Sequence, residues 1–122
     1  MVAHGEPEVS VYCHCDDCRR TAGAPVIASV GFKKAGINWE ADVTLARYRR
    51  DTATRLFCST CGSCVAQEHD SASDITFFNT GFMDEPNRYP PTCHTFAGQQ
   101  LEWLALHDDL PRAEKTILIQ TN

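Results

Sequence analysis

Short runs of β-branched and aromatic residues, broken at close intervals by glycine and proline, set the pattern of this chain. Such runs predict short strands rather than helices. Residues 9–12 (VSVY) form the first, and residues 26–32 (VIASVGF) follow a Gly23-Ala24-Pro25 turn. Residues 43–49 (VTLARYR) alternate loosely and suit a half-buried strand. Residues 55–57 and 65–68 flank a group of cysteines, and residues 75–80 (ITFFNT) carry the strongest strand signal. Residues 93–96 and 117–119 are shorter candidates, and residues 101–107 (LEWLALH) fit one helical stretch or a turn. No segment of about twelve residues sustains apolar spacing of three and four, so little helix is expected. The class predicted is mainly β, with short strands and long connections. Trp39 and Trp103 are expected to pack in the core or at its edge. The Asp108-Asp109-Leu110-Pro111 stretch is expected to anchor the C-terminal strand region through a turn. A core of this kind is thin, because its loops cost ordering entropy and bury little. Metal cross-links would offset that cost.

The chain has 122 residues with no internal repeat or long linker, which predicts a single domain over residues 1–122. Its hydrophobic content of 43% is ordinary for a globular protein. Net charge is −5 and the basic residues gather only in pairs such as Arg19-Arg20 and Arg49-Arg50, so nucleic acid is not expected as a partner. The longest mostly apolar stretch, residues 24–32, is too short to span a bilayer. No basic segment followed by an apolar run opens the chain, and a cytoplasmic location is the expectation.

The seven cysteines change the picture: Cys13, Cys15, Cys18, Cys58, Cys61, Cys64 and Cys93. Six fall in two tight clusters, where neighbours cannot easily reach disulfide geometry. An odd count without a secretory signal also points to metal rather than a disulfide scaffold. In the second cluster, Cys58-Ser-Thr-Cys61-Gly62, the two-residue gap lets both thiolates face one ion and Gly62 supplies the turn, as in a zinc knuckle. Cys64 extends this to C-x-x-C-x-x-C, which also suggests an iron–sulfur site, but no further cysteine followed by proline completes that pattern. Cys64 is otherwise a small buried residue on the departing strand.

The first cluster is C-x-C-x-x-C. On a strand Cys13 and Cys15 project to one face and His14 to the other, and a turn at Asp16-Asp17 brings Cys18 back. Three thiolates with an open fourth position is the pattern of a catalytic zinc, and water or a thiol would fill the opening. The alternative is a closed site, with His94, Cys93 or the second cluster supplying a fourth ligand.

The stretch CHCDDCRRTAGAPV at residues 13–26 resembles the C-H-C-x-x-C-R-K/R-x-S/T-G-A-P block of the glutathione-dependent formaldehyde-activating enzyme family, which also includes centromere protein V. RLFCSTCGS at residues 55–63 resembles its R-x-F-C-x-x-C-G-S block, and GFMDEPNRYPPTCHTF and LEWLALHDDLPR resemble its C-terminal segments. The resemblance implies a β-tent fold, small antiparallel sheets around zinc. It implies a catalytic zinc on Cys13, Cys15 and Cys18, with Cys58 and Cys61 as half of a structural zinc. The family completes that second site from an N-terminal C-x-C-G hairpin that this sequence does not show, so Cys58 and Cys61 are expected to be half-coordinated. Ala22 stands where the family carries Ser or Thr.

The activity implied is that of a carbon–sulfur lyase, making or cleaving an adduct of glutathione or a related thiol with an aldehyde. Cys15 would hold the reacting centre, and His14 and His94 are candidate proton donors. Arg19 and Arg20 are candidates for binding the carboxylates of glutathione, or else a solvated pair balancing Asp16 and Asp17. The alternative function is a non-catalytic zinc-binding structural or interaction module.

Overall fold

The computed structural model describes residues 2–40 and 44–116. Its strands are β1 (Val2–Ala3), β2 (Val9–Cys13), β3 (Ile27–Lys33), β4 (Ile37–Asn38) and β5 (Leu45–Arg50). They continue with β6 (Ala53–Cys58), β7 (Cys64–His69), β8 (Ile75–Asn79) and β9 (Cys93–Thr95). One α-helix, α1 (Asp16–Ala22), follows β2, and the remaining helical turns are short 3-10 turns. The mainly β expectation holds. Seven strands form one sheet in the order β5-β6-β7-β8-β3-β2-β9, and β1 pairs with β4 in a small second sheet.

Pairing in the seven-stranded sheet is antiparallel except between β2 and β9. Its register sorts side chains onto two faces. Leu56, Ala66, Phe78 and Val30 stand opposite one another along the sheet and, with Phe32 and Val65, form the main apolar core. Arg55, Gln67 and Phe77 pair in the same way and face the other side, as do Val11, Cys13 and Ser29 on β2 and β3. A register shift between Leu56 and Phe57 lets Val65 reach the core although its strand neighbour Ala66 does so too.

The strands predicted over residues 9–12, 26–32, 55–57, 65–68 and 75–80 are present with ends displaced by one or two residues. The strand predicted over 43–49 begins at Leu45, and Val43 lies outside the described residues, as does the stretch 117–119. Residues 101–107 contain a turn and no helix. Trp39 packs against Phe78 at 5.6 Å, but the packing expected for Trp103 is absent, since that side chain is 71% exposed. It sits in an irregular segment with no strand or helix to hold it against the sheet.

Candidate metal centre

Three consecutive local structures supply the three sulfurs of the first cluster. Cys13 is the last residue of β2. Cys15 keeps an extended backbone (φ −64°, ψ 149°) and caps α1, its sulfur accepting the Cys18 N–H at 3.3 Å. Cys18 lies one turn into the helix. Asp16 and Asp17 occupy the first turn, where carboxylates favour the positive end of the helix. Gly23 ends the helix in the left-handed region (φ 65°), its N–H bonded to the Arg19 carbonyl at 2.8 Å. The turn expected at Asp16-Asp17 is thus the start of a helix. At seven residues it is too short to show a helical period in the sequence.

Cys13 Sγ lies 3.4 Å from both Cys15 Sγ and Cys18 Sγ, and all three sulfurs fall within 4.8 Å of one another. Tetrahedral zinc with Zn–S bonds of about 2.3 Å separates its sulfurs by about 3.8 Å. The trio therefore has the span and the soft thiolate chemistry that zinc takes. Cys13 and Cys18 are buried, and Ile27, Ala22 and Phe96 pack around them. Among the described residues no fourth Cys, His, Asp or Glu joins the group, so the closed-site alternative finds no ligand there.

Sulfurs this close resist ionising together. Hydrogen bonds from Cys13 and Cys18 hold the Cys15 thiol far below its ordinary value of 9.0, against the opposing effect of burial. Its hydrogen bond to Cys15 pushes Cys13 up to about 11, and its contacts with Cys13 and Cys15 push Cys18 up as well. One negative charge on Cys15, shared by two neighbouring thiols, is the metal-free state this predicts. A divalent cation would let the other two ionise.

The cation the protein itself provides is Arg55, 6% exposed on β6. Its Nη1 and Nη2 lie 3.5 and 3.6 Å from Cys18 Sγ. Nη1 donates to Gln67 Oε1 at 2.9 Å and Nη2 to Asp17 Oδ2 at 2.5 Å. Asp17 also accepts from Arg50 at 2.7 Å. Sequence reasoning gave Arg55 no role. The available signal was a charge at an inward position, two residues after Ala53 in ATRLFC.

His14 and His94 lie on the far side of β2 from Cys13, as strand alternation requires, and both are 0% exposed. His14 Nε2 and His94 Nδ1 are 2.8 Å apart, their rings stack at 5.0 Å, and His94 Nε2 lies 3.0 Å from Asp108 Oδ2. With His94 Nε2 donating to the carboxylate, Nδ1 accepts from the Nε2–H of His14. Burial pushes the pKa of His14 down to about 4, so its ring is neutral near pH 7. Neither ring lines the cleft beside the sulfurs. Asp108 also accepts the Leu110 N–H at 3.0 Å, and His94 bonds through its backbone to Pro111 and Ala113. Arg19 and Arg20 part company: Arg19 Nε donates to the His14 carbonyl at 3.3 Å, while Arg20 lines the cleft, exposed, with its Nε 3.8 Å from Asp16.

That cleft has a volume of about 730 Å³ and is walled by β2, β6, β7, β8 and the start of α1. Cys13, Cys15 and Cys18 all line it. His69, the one histidine among its lining residues, was not singled out from the sequence.

Cys58 and Cys61 flank the β6–β7 turn, with Gly62 in the left-handed region (φ 78°). Cys61 is exposed, and its sulfur lies 3.0 Å from Ser63 Oγ. Cys64 points to the Thr21 carbonyl of α1 at 3.4 Å, and Cys93 is buried on β9. Among the described residues neither makes the Cys58–Cys61 pair into a group of three ligands.

Fold and site together define a mainly β protein with a three-cysteine metal-ligand cluster opening on a cleft. The family model described as "Glutathione-dependent formaldehyde-activating enzyme" matches residues 1–99, and the chain belongs to that family. No curated protein matches the chain. A solved structure of a protein from Rhodobacter sphaeroides aligns with 91% of this chain and 86% of its own, at 17% identity and a TM-score of 0.46.

Proposed function

We propose that the chain is a zinc-dependent carbon–sulfur lyase of the cytoplasm, acting as a single unit on an adduct between a small-molecule thiol, glutathione or a relative, and an aldehyde. The observation that carries this is the opening of Cys13, Cys15 and Cys18 onto a cleft, with no fourth protein ligand among the described residues. Zinc in this position would lower the pKa of a bound thiol and keep it ionised at neutral pH.

The chain's residues do the rest. The cleft brings thiol and aldehyde together, which converts a bimolecular encounter into one of fixed geometry. In the forward direction the sulfur adds to the carbonyl carbon, and the proton lost by the thiol ends on the carbonyl oxygen. The reverse breaks the same carbon–sulfur bond. Arg55 offsets the negative charge gathered at Cys18. His14 and His94 lie behind β2, where they fix the loop between Cys13 and Cys15 through the contact with Asp108. Any proton they provide must reach the cleft from that side.

The test is a turnover screen of the zinc-loaded protein against thiol–aldehyde adducts, with Cys15→Ser and Cys61→Ser beside it. Cys15→Ser should reduce turnover to background, while Cys61→Ser, an exposed position outside the three-sulfur group, should keep most of the parent's turnover and melting temperature. If no adduct turns over in the parent, and Cys15→Ser lowers the melting temperature sharply, the first cluster is a structural zinc site and the protein a binding module.

A further inference from the structure

Cleavage of a thiol–aldehyde adduct needs a group that takes up a proton near neutral pH. The carboxylates and guanidinium groups along the cleft keep a fixed charge there, and its three cysteines form the metal-ligand cluster. Among the described lining residues only His69 has a side chain that changes charge in the physiological range. His14 and His94 lie behind β2 and contact each other instead.

His69 is the last residue of β7, opposite Ala53 of β6, and shares a face with Gln67 two residues earlier. Strand rise places the two about 7 Å apart. Gln67 accepts from Arg55, whose guanidinium reaches Cys18 Sγ. The ring is thus a neighbour of the sulfurs but not one of the metal-ligand group. Phe77 of β8 meets it edge-on at 5.5 Å, which fixes its plane. Among the described residues no hydrogen bond occupies either ring nitrogen, and neither is sealed from solvent as His14 Nδ1 is. Thr52 and Ser71 line the same cleft, and the Thr52 carbonyl accepts the Asp70 N–H at 3.0 Å beside the ring.

Burial, and then Arg55, push the pKa of His69 below its ordinary 6.5, against the pull of Cys15 and Asp17 at α1 and of Asp70 next in the chain. Arg50 of β5 stands two strands away in the same row, bonded to Asp17 at 2.7 Å, with Asp51 beside it. The ring is therefore neutral near pH 7 and able to accept a proton.

We infer that His69 is the acid–base residue of the reaction, taking the hydroxyl proton of the adduct as the carbon–sulfur bond breaks and returning it as the bond forms. In cleavage the O–H electron pair becomes the second bond of the carbonyl, the carbon–sulfur pair leaves with the sulfur as thiolate, and the ring holds the proton until solvent takes it. Addition reverses each transfer. This rests on the reading of the three sulfurs as a lyase centre, and it names the residue that moves the proton there.

The zinc-loaded protein is assayed for cleavage of S-hydroxymethylglutathione across pH 5–9, with His69→Gln and His69→Ala beside it. In the parent, kcat/KM should fall as pH drops through the His69 pKa, because only the neutral ring accepts the proton. Both variants should lose about a hundredfold or more in kcat with KM within about threefold of the parent, and should lose that acid fall as well. Added imidazole should restore part of the rate to His69→Ala, which a merely structural role would not allow. Independently of turnover, the ring NMR signals of His69 should shift when the zinc-loaded protein is saturated with the adduct, while those of His4 and His107, outside the cleft, stay in place. Variants that keep the parent's kcat, that lose rate only in step with zinc, or whose parent shows unmoved His69 signals overturn the inference and leave the lyase reading standing. If the parent itself cleaves no adduct, the lyase reading fails and takes this one with it.

Discussion

At the scale of single residues, Arg55 decides whether three thiolates can gather where the chain puts them. A buried guanidinium is costly unless its donors are met, and here Asp17, Gln67 and the Cys18 sulfur meet the two Nη groups, while the buried Nε has no hydrogen-bond partner among the described residues. The same contacts place a positive charge against Cys18, whose ionisation is opposed first by its neighbours Cys13 and Cys15 and then by burial. Replacing Arg55 with Met should therefore weaken zinc binding by about ten- to a hundredfold, the range for residues that support metal ligands, and Arg55→Lys should recover part of the loss. Competition with a chelator measures this directly. Equal affinities in all three proteins would reduce Arg55 to a packing role. The cysteines were legible in the sequence because their spacing is local. Arg55 was not, because an arginine at the start of the short strand predicted over residues 55–57 reads as pointing to solvent. His14 could be assigned to the correct face of β2 from alternation alone, but not its depth. Its partner His94 is 80 residues away, and only the parallel pairing of β2 with β9 brings the two together.

At the scale of elements, the sheet holds the site by joining distant strands. Strand positions were readable from β-branched and aromatic runs, whereas the strand order was not, since β9 reaches β2 across the whole chain. Helix α1 went unseen because it begins on a sulfur cap and ends on Gly23 within two turns. Strands β5, β7 and β8 are tied, on the face that carries the apolar core, by Glu68, which accepts from Thr76 and pairs with Arg47 at 3.1 Å and Lys34 at 3.2 Å. Burial opposes its charge, but Lys34, Thr76 and Arg47 outweigh burial and hold the carboxyl below its ordinary 4.5. A lowered folded pKa contributes stability above the unfolded value, and that stability is lost as pH falls through the folded value. Glu68→Gln should thus cost about 1 kcal/mol near pH 7, and the difference from the parent should shrink as pH drops below about 4.5. Urea unfolding of both proteins across pH 3–7 follows this, and a difference that grows toward acid would contradict it.

At the scale of the whole molecule, the sheet's two faces divide the labour. One carries the apolar core of Phe32, Leu56 and Phe78, and the other presents Cys13 to the cleft beside Arg55 and Gln67. Among the described residues no helix is long and apolar enough to cross a membrane. Family membership was legible because the cysteine blocks recur in order along most of the chain. The cleft was not, because it arises where β2, β6, β7 and β8 meet and no local run of sequence encodes it. The proposed function turns on whether three sulfurs hold one ion from one side. Zinc content measured together with X-ray absorption at the zinc edge, on the parent and on a Cys58→Ser/Cys61→Ser variant, tests that most directly. The expected result is one zinc per chain in both, coordinated by three sulfurs and one oxygen or nitrogen. Four sulfurs around the ion, or its loss when only Cys58 and Cys61 are replaced, would contradict it.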